Sequence, residues 1–219
     1  MTQLEVDGLQ KQFGGLTALD SVDFTIEEGE LVGMIGPNGA GKTTLFNCLT
    51  GFLEPTAGNV RLEGEDVTGE SPDELARSGM LRTFQVTRDL TTLTVMENML
   101  VAAQEHPGDH FFSGIRQGPA VQQYEAEQRE KATRLLEQAS IGKMSDAYAG
   151  KLSGGQRKLL SVARALMADP DLFLLDEPFA GVSGENRKRI MQYVTELNEE
   201  GKTFIVIEHG LSDLIELVD

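Results

Sequence analysis

Residues 36–44, Gly36-Pro37-Asn38-Gly39-Ala40-Gly41-Lys42-Thr43-Thr44, constrain the fold of this chain more than any other stretch. They match Gly-x4-Gly-Lys-Ser/Thr in full. They directly follow Leu31-Val32-Gly33-Met34-Ile35, a nearly all-apolar run that reads as a strand buried on both faces. The combination of strand, glycine-rich turn and helix makes an anion cradle. Glycines let backbone N–H groups close around phosphate oxygens, and the helix starting near Lys42 adds its positive dipole end. Lys42 supplies a point charge among the outer phosphates, and the Thr43 hydroxyl is placed for Mg²⁺. The pattern points to a nucleoside-triphosphate site.

The rest of the chain supplies a frame for that loop. Val22, Phe24 and Ile26 alternate with polar residues as in a half-buried strand, and Val60 and Leu62 share one face of another. From about residue 87 to 168 the pattern turns helical. Thr94 and Glu97 have capping-box spacing, residues 105–120 read as a loop, and Val121, Tyr124, Ala132, Leu135, Leu136 and Ala139 suit one or two amphipathic helices. A helix from Ser153 is stopped by Asp169-Pro170, residues 172–175 form a buried strand, a helix runs from about Gly184 to Glu200, and residues 203–207 form a further buried strand. Strands alternating with helices imply a mostly parallel α/β sheet, with the helical middle inserted into it.

Composition narrows the class. With 219 residues, 40% hydrophobic and 25% charged, the chain can bury one large domain or a core with a subdomain. Its 19 Lys+Arg against 35 Asp+Glu give a net charge of −16, which argues against a nucleic-acid grip through a basic face. That acidity suits an ordinary acidic cytosolic protein or one adapted to a salty cytoplasm. The single cysteine, Cys48, excludes an internal disulfide and a cysteine-rich zinc site, and a reducing compartment is expected. No run approaches the roughly 20 apolar residues of a membrane helix, and residues 1–7 lack the marks of a signal peptide.

Two further motifs carry chemistry. Asp176 and Glu177 end the strand of residues 172–175, where ligands sit in open parallel sheets. Asp176 can hold the Mg²⁺ shell, and Glu177 can polarise an attacking water. Leu152-Ser153-Gly154-Gly155-Gln156 opens a helix, with Ser153 and Gln156 at capping-box spacing. It reads either as a well-capped helix or as a second N-terminus bare enough for an anion.

Taken together and in that order, Gly36–Thr44, the string at residues 152–156 and Asp176-Glu177-Pro178 resemble the ATP-binding-cassette (ABC) ATPases over essentially the whole chain. The resemblance implies a P-loop NTPase core with an N-terminal antiparallel β subdomain and an inserted α-helical subdomain. The core would be residues 1–86 and 169–219, and the helical subdomain about 87–168. It implies ATP and Mg²⁺ as ligands and ATP hydrolysis as the reaction. By the same resemblance Gln85 contacts Mg²⁺ and the water, His209 contacts the γ-phosphate, and Phe13 stacks on adenine, though Phe13 could instead be a plain core aromatic.

In this family two cassettes pair head-to-tail, as a homo- or heterodimer, with each ATP between one P-loop and the partner's signature string. Ser153, Gly154, Gly155 and Gln156 would then meet the partner's nucleotide. Residues 13–19, 83–85 and 93–98, with residues 177–182, look most like the ATP-binding subunits of branched-chain amino acid importers. That branch implies integral membrane permeases as separate polypeptides, with no nucleic-acid partner. It also implies a peripheral place on the cytoplasmic face of the membrane and a docking surface near residues 86–100. Other branches, for urea, amides or lipopolysaccharide, and non-transport cassettes remain alternatives. Ser183 stands where the family usually has Asn or Asp, and the chain ends at Asp219 where members normally continue, so a truncated end is expected.

Overall fold

The computed structural model describes residues 1–83, 90–103, 119–182, 184–208, 210 and 217. In chain order the elements are β1 (Thr2–Phe13), β2 (Leu16–Glu27), β3 (Leu31–Met34), α1 (Lys42–Leu49), β4 (Ala57–Leu62), β5 (Glu65–Asp66), α2 (Pro72–Arg77) and β6 (Met80–Thr83). They continue with α3 (Val95–Leu100), α4 (Pro119–Gln138), α5 (Gly154–Ala165), β7 (Leu172–Asp176), α6 (Gly184–Glu199) and β8 (Thr203–Ile207). Two compact units result. One takes Met1–Gln85, Pro170–Ala180 and Val194–Asp219; the other takes Val86–Asp169 and Gly181–Tyr193.

The first unit has two sheets. One is antiparallel, in the order β2-β1-β4-β5, and the other is parallel, in the order β3-β8-β7-β6. In the antiparallel sheet the alternating apolar residues meet across strands: Leu4 faces Ile26 and Leu62, and Val6 faces Phe24 and Val60. These side chains share one buried cluster with Leu45, Phe46 and Leu49 of α1 and with Leu172, Leu174, Ile205 and Ile207 of the parallel sheet. The alternate residues of β7 and β8 are also buried, with Phe173 and Phe204 stacked at 5.0 Å. Burial on both faces explains why these strands are unbroken apolar runs.

β3 differs from its expected burial. Its residues are half-buried or exposed, because it is the terminal strand of the described sheet and pairs on one side only, with β8. Ile35, just past it, is 51% exposed.

The second unit is helical. Met99 of α3, Ala132 and Leu136 of α4, and Leu159 and Leu160 of α5 have no solvent exposure. Asn98 is equally buried. Its side-chain amide donates to the Thr94 carbonyl at 2.9 Å and the Leu90 carbonyl at 3.1 Å, while its oxygen accepts from the Leu90 N–H at 3.1 Å. One amide therefore fixes the turn that enters α3 and satisfies backbone groups that would otherwise be buried unpaired. No helix among the described residues is long and apolar enough to cross a membrane.

Candidate functional site

The loop of residues 36–44 leaves β3 and enters α1 at Gly41, which has φ of 87°. A Cβ at Gly41 would stand 2.6 Å from the Ala18 carbonyl oxygen, so both the backbone angle and the close approach of β2 require glycine there. No side chain caps α1, and its first turn has no acidic residue. Its N-terminal N–H groups and dipole are thus left for an anion. Lys42, 9% exposed, folds its ammonium back onto the loop, donating to the Gly36 carbonyl at 2.5 Å and the Pro37 carbonyl at 3.1 Å.

A cavity of about 410 Å³ opens beside this loop. It is lined by Phe13, Leu16, Thr17 and Ala18 from the β1–β2 hairpin, by Asn38, Gly39, Ala40, Gly41, Lys42, Thr43 and Thr44, and by Glu177 and Ile207. That volume lies in the range of small-molecule and cofactor sites. Phe13 is not a core aromatic: its ring is 46% exposed, with the Lys11 ammonium 5.2 Å from its centroid. Lys11 is anchored in turn by donating to the Glu54 carbonyl at 2.6 Å. An exposed ring at the mouth of a polar cavity suits stacking of a flat base.

Glu177 sits one residue past β7 with φ of 49°, a left-handed backbone that costs a non-glycine residue free energy and tends to mark functional turns. Its N–H donates to the Ile207 carbonyl at 3.0 Å, and its own carbonyl accepts from the Ala180 N–H at 3.2 Å. The turn is braced by Glu208, whose buried carboxylate accepts from the Phe179 N–H at 2.8 Å. Sequence reasoning gave Glu208 no role. A carboxylate directly after the apolar run of β8 was its only signal.

Asp176 does not line the cavity. Its Oδ2 accepts from the Arg82 guanidinium at 2.6 Å, and the two side chains are 6% and 8% exposed. Loss of either partner from such a pair leaves a buried charge uncompensated, at a cost of about 3–5 kcal/mol. Arg82 was also absent from the sequence reading; the charged residue in an otherwise apolar strand was the available signal.

The signature string lies in the helical unit. Ser153 and Gln156 close a capping box: the Gln156 N–H donates to Ser153 Oγ at 3.3 Å, and the Ser153 N–H donates to Gln156 Oε1 at 2.9 Å. Its two glycines differ. A Cβ on Gly155 would collide with the Asn186 side chain, whereas one on Gly154 would meet nothing within 4 Å. Helix packing therefore explains Gly155 and leaves Gly154 unexplained. Gln85, His209 and Ser183 lie outside the described residues.

The donors suit a hard cation. The Thr43 hydroxyl, exposed at the cavity, and the Asp176 carboxylate are oxygen donors of the kind a hard cation takes, and Asp176 Oδ1 has no hydrogen bond to a described residue.

Comparisons with known proteins identify the family. The ABC transporter family model matches residues 19–180. The chain is 41% identical over 217 residues to the high-affinity branched-chain amino acid transport ATP-binding protein BraF of Pseudomonas aeruginosa, covering 99% of this chain and 85% of that one. It is 39% identical to the probable branched-chain amino acid transport ATP-binding protein LivG of Methanocaldococcus jannaschii, covering 100% and 84%. Among solved structures, a nucleotide-free ATP-binding cassette from an ABC transporter superposes with a TM-score of 0.85 at 38% identity, covering 100% of this chain and 86% of that one. The cassette MJ0796, solved as a dimer in a post-hydrolysis state with ADP and phosphate, gives a TM-score of 0.76 at 28% identity, covering 96% and 90%. With the family model matched over residues 19–180 and relatives about 40% identical along nearly its whole length, this chain belongs to the ABC transporter family as an ATP-binding cassette with ATPase activity.

Proposed function

We propose that this cassette powers import of branched-chain amino acids or closely related small solutes, through permeases that are separate polypeptides, from the cytoplasmic face of the membrane. The observation that carries the reading is its similarity to BraF along nearly its whole length. The chain never touches the solute in this reading, so its own residues perform only the ATP chemistry. Phe13 stacks the base. The loop of residues 38–44 and the dipole of α1 hold the phosphates, and Lys42 leaves the Gly36 and Pro37 carbonyls for the outer phosphate oxygens. Glu177, at the cavity wall, takes the proton of an attacking water, and His209 and Gln85 complete the γ-phosphate end in the roles implied by the family pattern. Thr43, Gln85 and Asp176 would hold magnesium in the roles implied by the family pattern, and the ion would supply neutralisation of phosphate charge.

The second half of each site comes from the signature string of a partner cassette, in a head-to-tail pair. The dimeric MJ0796 cassette supports this arrangement, as does the open face at Gly154. Of the stretch near residues 86–100 expected to dock the permease, residues 86–89 lie outside the described residues, and Leu100 at the end of α3 is half-buried. Val95, Met96 and Met99 are interior to the helical unit, while Leu90 and Val101 are exposed.

Reconstitution in vesicles with candidate permeases tests the reading. ATP-dependent leucine uptake is expected, with Glu177→Gln reducing turnover by about 100-fold or more while ATP binding and an ATP-dependent dimer persist. Uptake of urea or an amide instead of leucine assigns the chain to another importer branch. Undiminished turnover by Glu177→Gln removes Glu177 from the role of base.

A further inference from the structure

The reaction as derived leaves one buried titratable group beside the site without a task. Glu208, 4% exposed, follows the last residue of β8 and directly precedes His209 in the sequence. Residues 177–180 form a turn closed by the Ala180 N–H on the Glu177 carbonyl at 3.2 Å. The other backbone donors of that turn are all accounted for. The Glu177 N–H goes to the Ile207 carbonyl at 3.0 Å, and Pro178 has none. That leaves the Phe179 N–H, buried in the middle of the turn, and the Glu208 carboxylate accepts it at 2.8 Å. Glu208 is itself fixed at its backbone, where its N–H donates to the Met34 carbonyl of β3 at 3.3 Å. The end of β8 thus holds the turn at two points, one on each side of Pro178.

We infer that Glu208 is a positioning residue for Glu177: by holding the Phe179 N–H it keeps the 177–180 turn in the bend that presents Glu177 to the cavity. The inference rests on Glu177 as the base. A left-handed backbone at a non-glycine residue persists only where its surroundings over-determine it, and Glu177 has φ of 49°. A carboxylate suits this task because its bond from an N–H is charge-assisted and stronger than one to a neutral acceptor. With the Phe179 N–H released, the turn can relax toward an ordinary backbone, and Glu177 shifts relative to an attacking water. Misplacement of a reacting group by about 1 Å costs up to about 100-fold in rate. Binding of ATP, which falls to the loop of residues 36–44 and to Phe13, is untouched by that shift.

The test measures single-turnover ATP hydrolysis and the binding of a fluorescent ATP analogue by the full chain. Glu208→Ala should lower the hydrolysis rate by about tenfold or more, with analogue affinity within about twofold of wild type. Glu208→Gln keeps an acceptor at the same reach and should recover much of the rate. Glu208→Asp keeps the charge, falls one methylene short and should not. Because Glu208 acts through Glu177, the two losses should not multiply: in a Glu177→Gln background, Glu208→Ala should cost less than about a further twofold. A purely structural defect would lower the rate by the same factor in both backgrounds. Thermal melts and circular dichroism identify which variants fold, and if Glu208→Ala does not, Glu208→Asp takes its place in both backgrounds. Wild-type turnover in the folded Ala or Asp variant overturns the proposal while Glu177 keeps its role. So do equal losses in the two backgrounds, a loss of analogue affinity in step with the rate, or an Asp variant more active than the Gln variant. Undiminished turnover by Glu177→Gln instead removes Glu177 from the role of base, and the proposal falls with it.

Discussion

Helices α2 and α3 begin differently from α1 and α5, and the contrast separates helix ends whose positive pole is met by a carboxylate from ends where it is left unneutralised. α2 and α3 start with capping boxes closed by glutamates: Ser71 with Glu74, and Thr94 with Glu97. A carboxylate there satisfies N–H groups and neutralises the positive end of the helix. α1 has a glycine N-cap and no acid, and α5 has a complete box closed by Gln156, again with no acid in its first turn. The α5 box satisfies the same N–H groups with a neutral amide and keeps the dipole unquenched. Hydrogen bonding alone would be served equally well by glutamate. A neutral residue at this position is what a helix end needs if a phosphate is to come near it.

The largest effect should come from erasing that difference. Gln156→Glu converts α5 to the α2 and α3 type, so the fold should hold, and its melting temperature should not drop. ATP-driven dimerisation, measured by sedimentation in the Glu177→Gln background, should weaken by about tenfold. Equal dimerisation would mean that the neutral residue serves nothing beyond the cap.

The two glycines of α5 sharpen the same point at a smaller scale. Gly155→Ala drives a methyl into Asn186 and should destabilise the chain by about 1–3 kcal/mol in denaturant titration. Gly154→Ala meets open space, so its cost to stability should be only tenths of a kcal/mol. A loss of turnover in Gly154→Ala without loss of stability would locate the function of this string on its outer face.

The smallest expected effect is a pH dependence. Hydrogen bonds from Ser71 hold the Glu74 carboxyl below its usual range, and those from Thr94, the backbone N–H first, do the same for Glu97. Both groups have folded-state values lower than their unfolded ones. Their stabilisation is therefore present above the ordinary carboxylate value near 4.3 and is lost as pH falls through the folded values. Hydrogen exchange should show the first turns of α2 and α3 loosening in acid, while that of α5, closed by an amide, keeps its protection.

What the sequence disclosed and what it hid divide by range. The phosphate loop and the capping boxes at Thr94 and Ser153 depend on residues within one turn of each other, so their spacing can be read directly. The fully buried strands β7 and β8 were equally legible, because both faces demand apolar residues. β3 was misjudged: its second side depends on a neighbouring strand, which no local pattern encodes. The interior placement of Val95, Met96 and Met99 likewise follows from how α3 packs against α4 and α5, not from their apolar character alone.

Arg82 was hidden for a sharper reason. It reaches Asp176 across 94 residues, through the parallel pairing of β6 with β7 that sets Arg82 opposite Leu174, two residues before the carboxylate. The same holds for Glu208, which meets Phe179 from a different strand end. Roles for Gln85 and His209 rest on the resemblance of their surrounding residues to the family pattern.

The backbone at Glu177 has a consequence for anyone improving this protein. At φ of 49° only glycine relaxes fully, and glycine has no carboxylate. A selection for heat resistance alone should therefore enrich Glu177→Gly, with a gain of about 1 kcal/mol, and deliver well-folded molecules that bind ATP and fail to turn it over. With Glu177 as the proposed base, a gain in melting temperature at this position would come at the expense of turnover.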